Sequence, residues 1–240
     1  MPAQPLLWNN LALKKAMNIM DQQKTRTIYG RRQARPLKDN QKNLFETLFK
    51  AIEIDPLNLP TKFPNEVIFE IGFGGGENIA YQAQKHPDAL CIGCEPFVNG
   101  IAALLQTIDE ENIQNIRIFA DDANILLKAL PDQVITKGFI LFPDPWPKKR
   151  HHKRRVVCLE NLLQLHKKMV KNAELIIATD HPTYLGWILD ITAQATFKNH
   201  FQAINTLECP RPSEDDIPVT RYEKKALENR PGAFLIFKAI

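Results

Sequence analysis

No run of about 18 consecutive apolar residues occurs in this 240-residue chain, so no segment has the length to cross a bilayer as a helix. The first residues lack the apolar core of a secretory leader. Both absences lead us to expect a soluble, cytoplasmic protein. Cysteine is scarce, at four residues. Cys91 and Cys94 form a single C-x-x-C, with no second pair to complete a zinc site. They also fall in a segment, 89–94, that reads as a strand, where residues three apart point to opposite faces. Buried structural thiols are expected there, and no metal. The glycine-rich stretch Gly72-Phe73-Gly74-Gly75-Gly76 is not followed by Gly-Lys, which excludes a phosphate-cradling loop of the G-x-x-x-x-G-K type. Internal repeats and low-complexity tracts are absent.

What the chain does have is uneven charge. The formal net charge is only +4. Yet the first fifty residues hold ten Lys or Arg against three acids, and residues 148–155 are all Lys, Arg or His. The rest of the chain is net acidic. Two basic segments on an acidic body point to a polyanionic partner, most simply nucleic acid. Lys149, Arg150, Lys153, Arg154 and Arg155 are the expected phosphate contacts, which give affinity and register without reading sequence. Solvated surface charge is the competing reading.

The hydrophobic pattern divides the chain into a flexible basic arm, 1–38, and one domain, 39–240. Leu44, Phe45, Leu48, Phe49 and Ile52 have helical spacing within 41–52. From Glu66 onward, apolar strand-like runs alternate with amphipathic helices: strands at 66–71, 89–94, 115–120, 134–142 and 173–179, with helices between them. Two further strands, 201–207 and 233–238, lack an intervening helix. This pattern predicts an α/β fold, a mostly parallel sheet with helices on both faces and an antiparallel pair at one edge.

In such sheets the chemistry gathers beyond the C-terminal ends of the strands. Glu70 closes the first strand, and Gly72, Gly74 and Gly76 form the turn into the next helix, where a ligand can approach the main chain. A dinucleotide fingerprint asks for glycine at position 77, which is Glu77, and a carboxylate there would face a pyrophosphate. A cationic nucleoside without phosphates fits better, and S-adenosylmethionine is one. Glu95, ending the second strand, is placed to accept hydrogen bonds from ribose hydroxyls. Asp122, past the third, is placed for an adenine amino group, or is simply a helix N-cap. Asp144 and Trp146 lie in the proline-bracketed loop Pro143-Asp144-Pro145-Trp146-Pro147, between the fourth strand and the basic run. Trp146 either stacks on an extruded base or anchors the loop.

The combination E-x-G-F-G-x-G-E at 70–77, Glu95, F-P-D-P-W-x-K-x-R-H-x-K-R-R at 142–155, Ala178-Thr179-Asp180 with Tyr184, and Thr220-Arg221-Tyr222-Glu223 resembles the bacterial tRNA (guanine-N7)-methyltransferases. The resemblance covers roughly residues 40–240. It implies a Rossmann-like class I methyltransferase fold, S-adenosylmethionine as methyl donor, and tRNA as partner, methylated at guanine 46 of the variable loop. It also implies that Glu70, Glu95, Asp122 and Asp144 serve the cofactor site, and that Asp144 is the catalytic residue. Lys148, Asp180, Thr220, Arg221, Tyr222 and Glu223 match substrate-contacting positions. Apart from the resemblance, Asp180 reads equally as a helix N-cap, and Arg221 with Glu223 as a salt-bridged turn. Three other activities compete. An enzyme methylating an exocyclic amine of RNA would want a second proline after Asp144-Pro145. A non-catalytic RNA-binding module would not need the glycines and acids. A nicotinamide oxidoreductase is disfavoured by Glu77.

Overall fold

The computed structural model describes residues 32–204, 210–224 and 232–240. Most of the expected N-terminal arm, 1–31, and the end of the expected strand 201–207 lie outside the described residues. Residues 32–35 run across the start of a helix of the body. The Val98 amide donates to the Arg32 carbonyl (2.7 Å), and the Asn99 side chain accepts from the Ala34 and Arg35 amides (2.8 and 3.2 Å). The helix predicted over 41–52 is present as α1 (Asp39–Leu44), a π-helical turn (Phe45–Phe49) and a last turn, α2 (Lys50–Ile52). Its apolar residues pack on the core face that contains the helix Val98–Glu110, and its last turn reaches the third strand of the sheet.

The main body alternates as its periodicity predicts: β1 (Val67–Ile71), α3 (Glu77–Lys85), β2 (Leu90–Cys94), α4 (Val98–Glu110), β3 (Ile116–Phe119), α5 (Ala123–Ala129) and β4 (Ile135–Leu141). A 3₁₀ turn (Lys149–Arg154) follows, then α6 (Leu159–Lys168), β5 (Met169–Thr179), α7 (Pro182–Thr192), α8 (Ala195–Lys198), β6 (Phe201–Ala203), α9 (Arg221–Lys224) and β7 (Ala233–Ala239). The strands form one sheet in the order β3-β2-β1-β4-β5-β7-β6. β1 to β5 are parallel, and β7 runs antiparallel to both β5 and β6.

β1 is buried along its whole length, as a central parallel strand covered on both faces must be. Its period of two sends Phe69 and Ile71 to the face covered by α5, α6 and α7, and Ile68 to the face covered by α3 and α4. Cys91 and Cys94 likewise belong to opposite faces, both buried. Burial pushes the Cys91 thiol up to about 12 and the Cys94 thiol upward as well. The β3 edge is covered: the Ile54 amide donates to the Ile118 carbonyl (3.0 Å) beside a parallel bridge from Glu53.

One boundary differs from the sequence pattern. Met169 and Val170 look like the end of a helix but already belong to β5, where Met169 pairs with Ile135. The register then shifts before Lys137 pairs with Glu174, and Asn172 takes a positive φ of 68°. A bulge of this kind breaks the alternation from which a strand is read.

Candidate active site

Five parallel strands end at one edge, and each delivers an acid there. Glu70 is the next-to-last residue of β1. Glu95, Asp122, Asp144 and Asp180 follow β2, β3, β4 and β5 within three residues. β1 pairs with β2 on one side and β4 on the other, so the chain order reverses between β1 and β4. A crevice opens at such a switch point.

Glu70 is fully enclosed, and its Oε2 accepts a hydrogen bond from Asn78 Nδ2 at 3.1 Å. Burial is the main force on its carboxyl. The Asn78 bond opposes it and Glu77 and Glu95 reinforce it, and the pKa is pushed up to about 8. Glu95 is buried too, with both oxygens on backbone amides: Oε2 accepts from Gly74 (2.8 Å) and Oε1 from Phe97 (2.9 Å). Burial raises its pKa, the two amides pull it back, and the charge of Asp144 raises it further. Glu95 therefore fixes the glycine loop as well as presenting an acid.

The loop itself leaves room for a ligand. Gly72 lies in the left-handed region (φ 74°), and a Cβ placed there would meet nothing within 4 Å. Gly74 (φ 55°) is closely covered instead: a Cβ would sit 2.7 Å from the Tyr222 ring. Gly76 is the residue before α3. Open space before Gly72, on a loop held by the acid Glu95, leaves room for a nucleoside such as S-adenosylmethionine. Among the described residues no cluster of His, Cys, Asp or Glu could hold a metal. Asp122 is the N-cap of α5, its Oδ1 accepting from the Asn124 amide at 3.0 Å and the Asn124 side chain at 2.8 Å. The N-cap reading is thus realised, at the strand end where a nucleoside would lie.

Glu77 is not bare. It forms an ion pair with Arg221, whose guanidinium lies against Gly75. Its charge is thereby partly balanced, which weakens the like-charge contact that Glu77 would present to a pyrophosphate. Arg221 and Glu223 are both salt-bridged, but not to each other. Glu223 pairs with Arg211 (2.5 Å), which also donates to the carbonyls of Pro212 and Ile217. Thr220 is buried, and its hydroxyl accepts from the Glu223 amide (3.2 Å). Tyr222 feels burial first and then the charges of Glu95 and Asp144, which raise its pKa against the pull of Arg221. The Thr220–Glu223 segment and the glycine loop, far apart in sequence, thus meet over the crevice. Asn78 and Arg211, which hold Glu70 and Glu223, carried no motif that would single them out.

Asp144 sits between two residues with positive φ, Phe142 (49°) and Trp146 (44°). Solvent reaches it, yet the surrounding loop desolvates its carboxyl enough to raise the pKa. The Trp146 ring is engaged within the loop, with the Arg154 guanidinium 4.9 Å from its centroid and His151 edge-on at 5.8 Å. This favours the anchoring role. Desolvation and the neighbouring cations, Arg154 first, lower the His151 pKa. Lys148, Lys149, Arg150 and Lys153 are exposed, and Arg154 is partly so. Arg155 corrects the expectation of a phosphate contact. It is 2% exposed, among the largest fully buried side chains, so no phosphate can reach it without rearrangement. Asp180, partly exposed, follows β5, where the Phe142 amide donates to the Ala178 carbonyl (2.8 Å), placing it at the same sheet edge as Asp144.

Residues 64–235 match a family model described as a putative methyltransferase. A tRNA (guanine-N(7)-)-methyltransferase of Agrobacterium fabrum is 39% identical over 229 residues, 89% of this chain and 95% of the relative. One from Hyphomonas neptunium is 41% identical over 206 residues, 83% and 93% of the two chains. Among solved structures, an rRNA methylase from Streptococcus thermophilus superposes with a TM-score of 0.51 at 12% identity, over 86% of this chain and 98% of that one. That likeness concerns the fold, a mostly parallel Rossmann-like sheet of the class I methyltransferase type.

Proposed function

The chain belongs to the tRNA (guanine-N(7)-)-methyltransferase family, and from that premise we propose that it transfers a methyl group from S-adenosylmethionine to N7 of guanine 46 in the variable loop of tRNA. The observation that carries this reading is the convergence at one sheet edge of buried Glu70 and Glu95, the open face of Gly72, and the Asp144 loop with its exposed basic turn.

When bound, S-adenosylmethionine supplies an electrophilic methyl group on a cationic sulfur. Glu70, Glu95 and Asp122 are the acids that would hold it, beside Gly72, Gly74 and Gly76. Asp144 joins them at the rim. Guanine N7 carries an in-plane lone pair and no proton, so the site does not need a base before methyl transfer. It must hold the base and exclude other orientations. The ring gains positive charge as the bond forms, and the Asp144 carboxylate stabilises it, besides accepting hydrogens from the N1–H and amino edge. Asp180 and Thr220 to Glu223 line the same edge as guanine contacts. Lys148, Lys149, Arg150 and Lys153 take phosphates, with Arg154 behind Trp146. Selection of one guanine then rests on tRNA shape more than on base reading.

The test maps the product. A tRNA transcript incubated with the full chain and S-adenosylmethionine is reduced and treated with aniline, which cuts the chain at N7-methylguanosine. Cleavage is expected at position 46 alone, and none in a transcript with adenosine at that position. Cleavage at another guanine, persisting in the substituted transcript, would refute the positional assignment.

A further inference from the structure

Arg155 sits at the end of a basic run but is buried, and its surroundings are specific. Its Nε donates to the Pro145 carbonyl at 2.9 Å. Its guanidinium lies 4.9 Å from the centroid of Tyr184 and 4.9 Å from that of Trp187, both on α7. Nη2 is buried without a hydrogen-bond partner. No carboxylate pairs with the side chain among the described residues. A buried cation held by rings and one carbonyl is an expensive way to fill space, and an apolar side chain of like volume does it better. What only the guanidinium offers is a flat donor that stacks and bonds at once.

The group it bonds is the peptide carbonyl next to Asp144. Phe142 and Trp146 both hold positive φ, unusual for bulky side chains, so this loop persists only where its surroundings over-determine it. One end is tied by the Phe142 amide on Ala178. The other is tied through Arg155. The clamp is itself fixed: Trp187 Nε1 donates to the Val157 carbonyl (2.8 Å), and the Tyr184 hydroxyl accepts from the Val157 amide (3.2 Å). α7 begins two residues after Asp180. The chain of contacts therefore joins the helix that follows Asp180 to the loop carrying Asp144.

We infer that Arg155 is a positioning residue for methyl transfer: clamped between Tyr184 and Trp187, it holds the Pro145 carbonyl and thereby the direction of the Asp144 carboxylate. It touches neither substrate nor cofactor. The inference rests on the proposed role of Asp144.

Single-turnover methylation by the full chain, with separate measurement of tRNA and S-adenosylmethionine affinity, tests it. Arg155→Lys keeps the charge but loses the planar fork. Its rate should fall on the order of 10- to 100-fold, because small displacements of an orienting group are that costly. Both affinities should stay within about twofold, at a temperature well below the unfolding midpoint of each variant. In the Asp144→Asn background the same change should cost much less, since both substitutions disable one group. A near-parental rate in Arg155→Lys, or a loss that multiplies fully with that of Asp144→Asn, overturns the positioning role. A near-parental rate in Asp144→Asn alone overturns the reading of Asp144 instead. If Arg155→Lys unfolds at the assay temperature, Trp187→Phe, which keeps a ring but frees it from Val157, should slow the rate with affinities intact. A parental rate there sinks the proposal.

Discussion

Glu70 and Asp144 show how one chemical group, the carboxyl, is set to two tasks by its surroundings. Burial lifts the Glu70 carboxyl from 4.5 to about 8. Between those values the folded protein holds a proton that the unfolded chain has released. The resulting stabilisation is complete below about pH 4.5 and is lost as pH rises through about 8. Glu70→Gln cannot ionise and can still accept from Asn78. Its stability relative to the parent should therefore increase between about pH 4.5 and 8 and level off above that, as read by urea unfolding at each pH. A difference independent of pH would show that Glu70 does not titrate there. Asp144 stands at the solvent-open rim, where its charge can meet a guanine turning cationic. Asp144→Asn retains shape and one acceptor oxygen. It should lower the single-turnover methylation rate more than it lowers tRNA affinity. A defect confined to binding would reduce Asp144 to an anchor for the base.

Elements set these residues in place, and Asp122 is where an element's needs and the site's needs fall on one side chain. As the N-cap of α5 it satisfies the Asn124 amide. Asp122→Ala should destabilise the protein by about 0.5–2 kcal/mol, and Asp122→Ser should recover most of that because serine caps well. If the acid also serves the cofactor, S-adenosylmethionine affinity should stay reduced in Asp122→Ser. Full recovery of both by serine, in thermal unfolding and calorimetry, would leave Asp122 a cap alone. The elements themselves were largely legible. Alternation of apolar strand runs with amphipathic helices predicts the parallel body, and the lack of a long helical pattern between the last two strands predicts the antiparallel edge, where the described residues hold only the single turn α9. The start of β5 was not legible, because the bulge at Asn172 interrupts its period. The burial of Arg155 was equally hidden: six Lys or Arg in eight residues look uniform in sequence, and only the 3₁₀ turn separates the outward ones from the one folded under. The acids were readable because each ends a strand. Asn78, Arg211 and the Arg221–Glu77 pair were not, because their partners lie in distant segments.

At the scale of the whole molecule, an acidic body carries an exposed basic turn beside the crevice. Replacing Lys149, Arg150 and Lys153 with serine should weaken tRNA binding and flatten its salt dependence, each lost phosphate contact reducing the log–log slope by up to about 0.7–0.9. S-adenosylmethionine affinity should hardly change. A slope as steep as the parent's would move the RNA contact elsewhere on the chain. The identity of the methylated atom is read by transferring a labelled methyl group from S-adenosylmethionine into unmodified total tRNA and identifying the labelled nucleoside. Label is expected in N7-methylguanosine, recognised by its fixed positive charge, and in no other nucleoside. Label in a guanosine or adenosine methylated on its exocyclic amine, or no transfer at all, would contradict it.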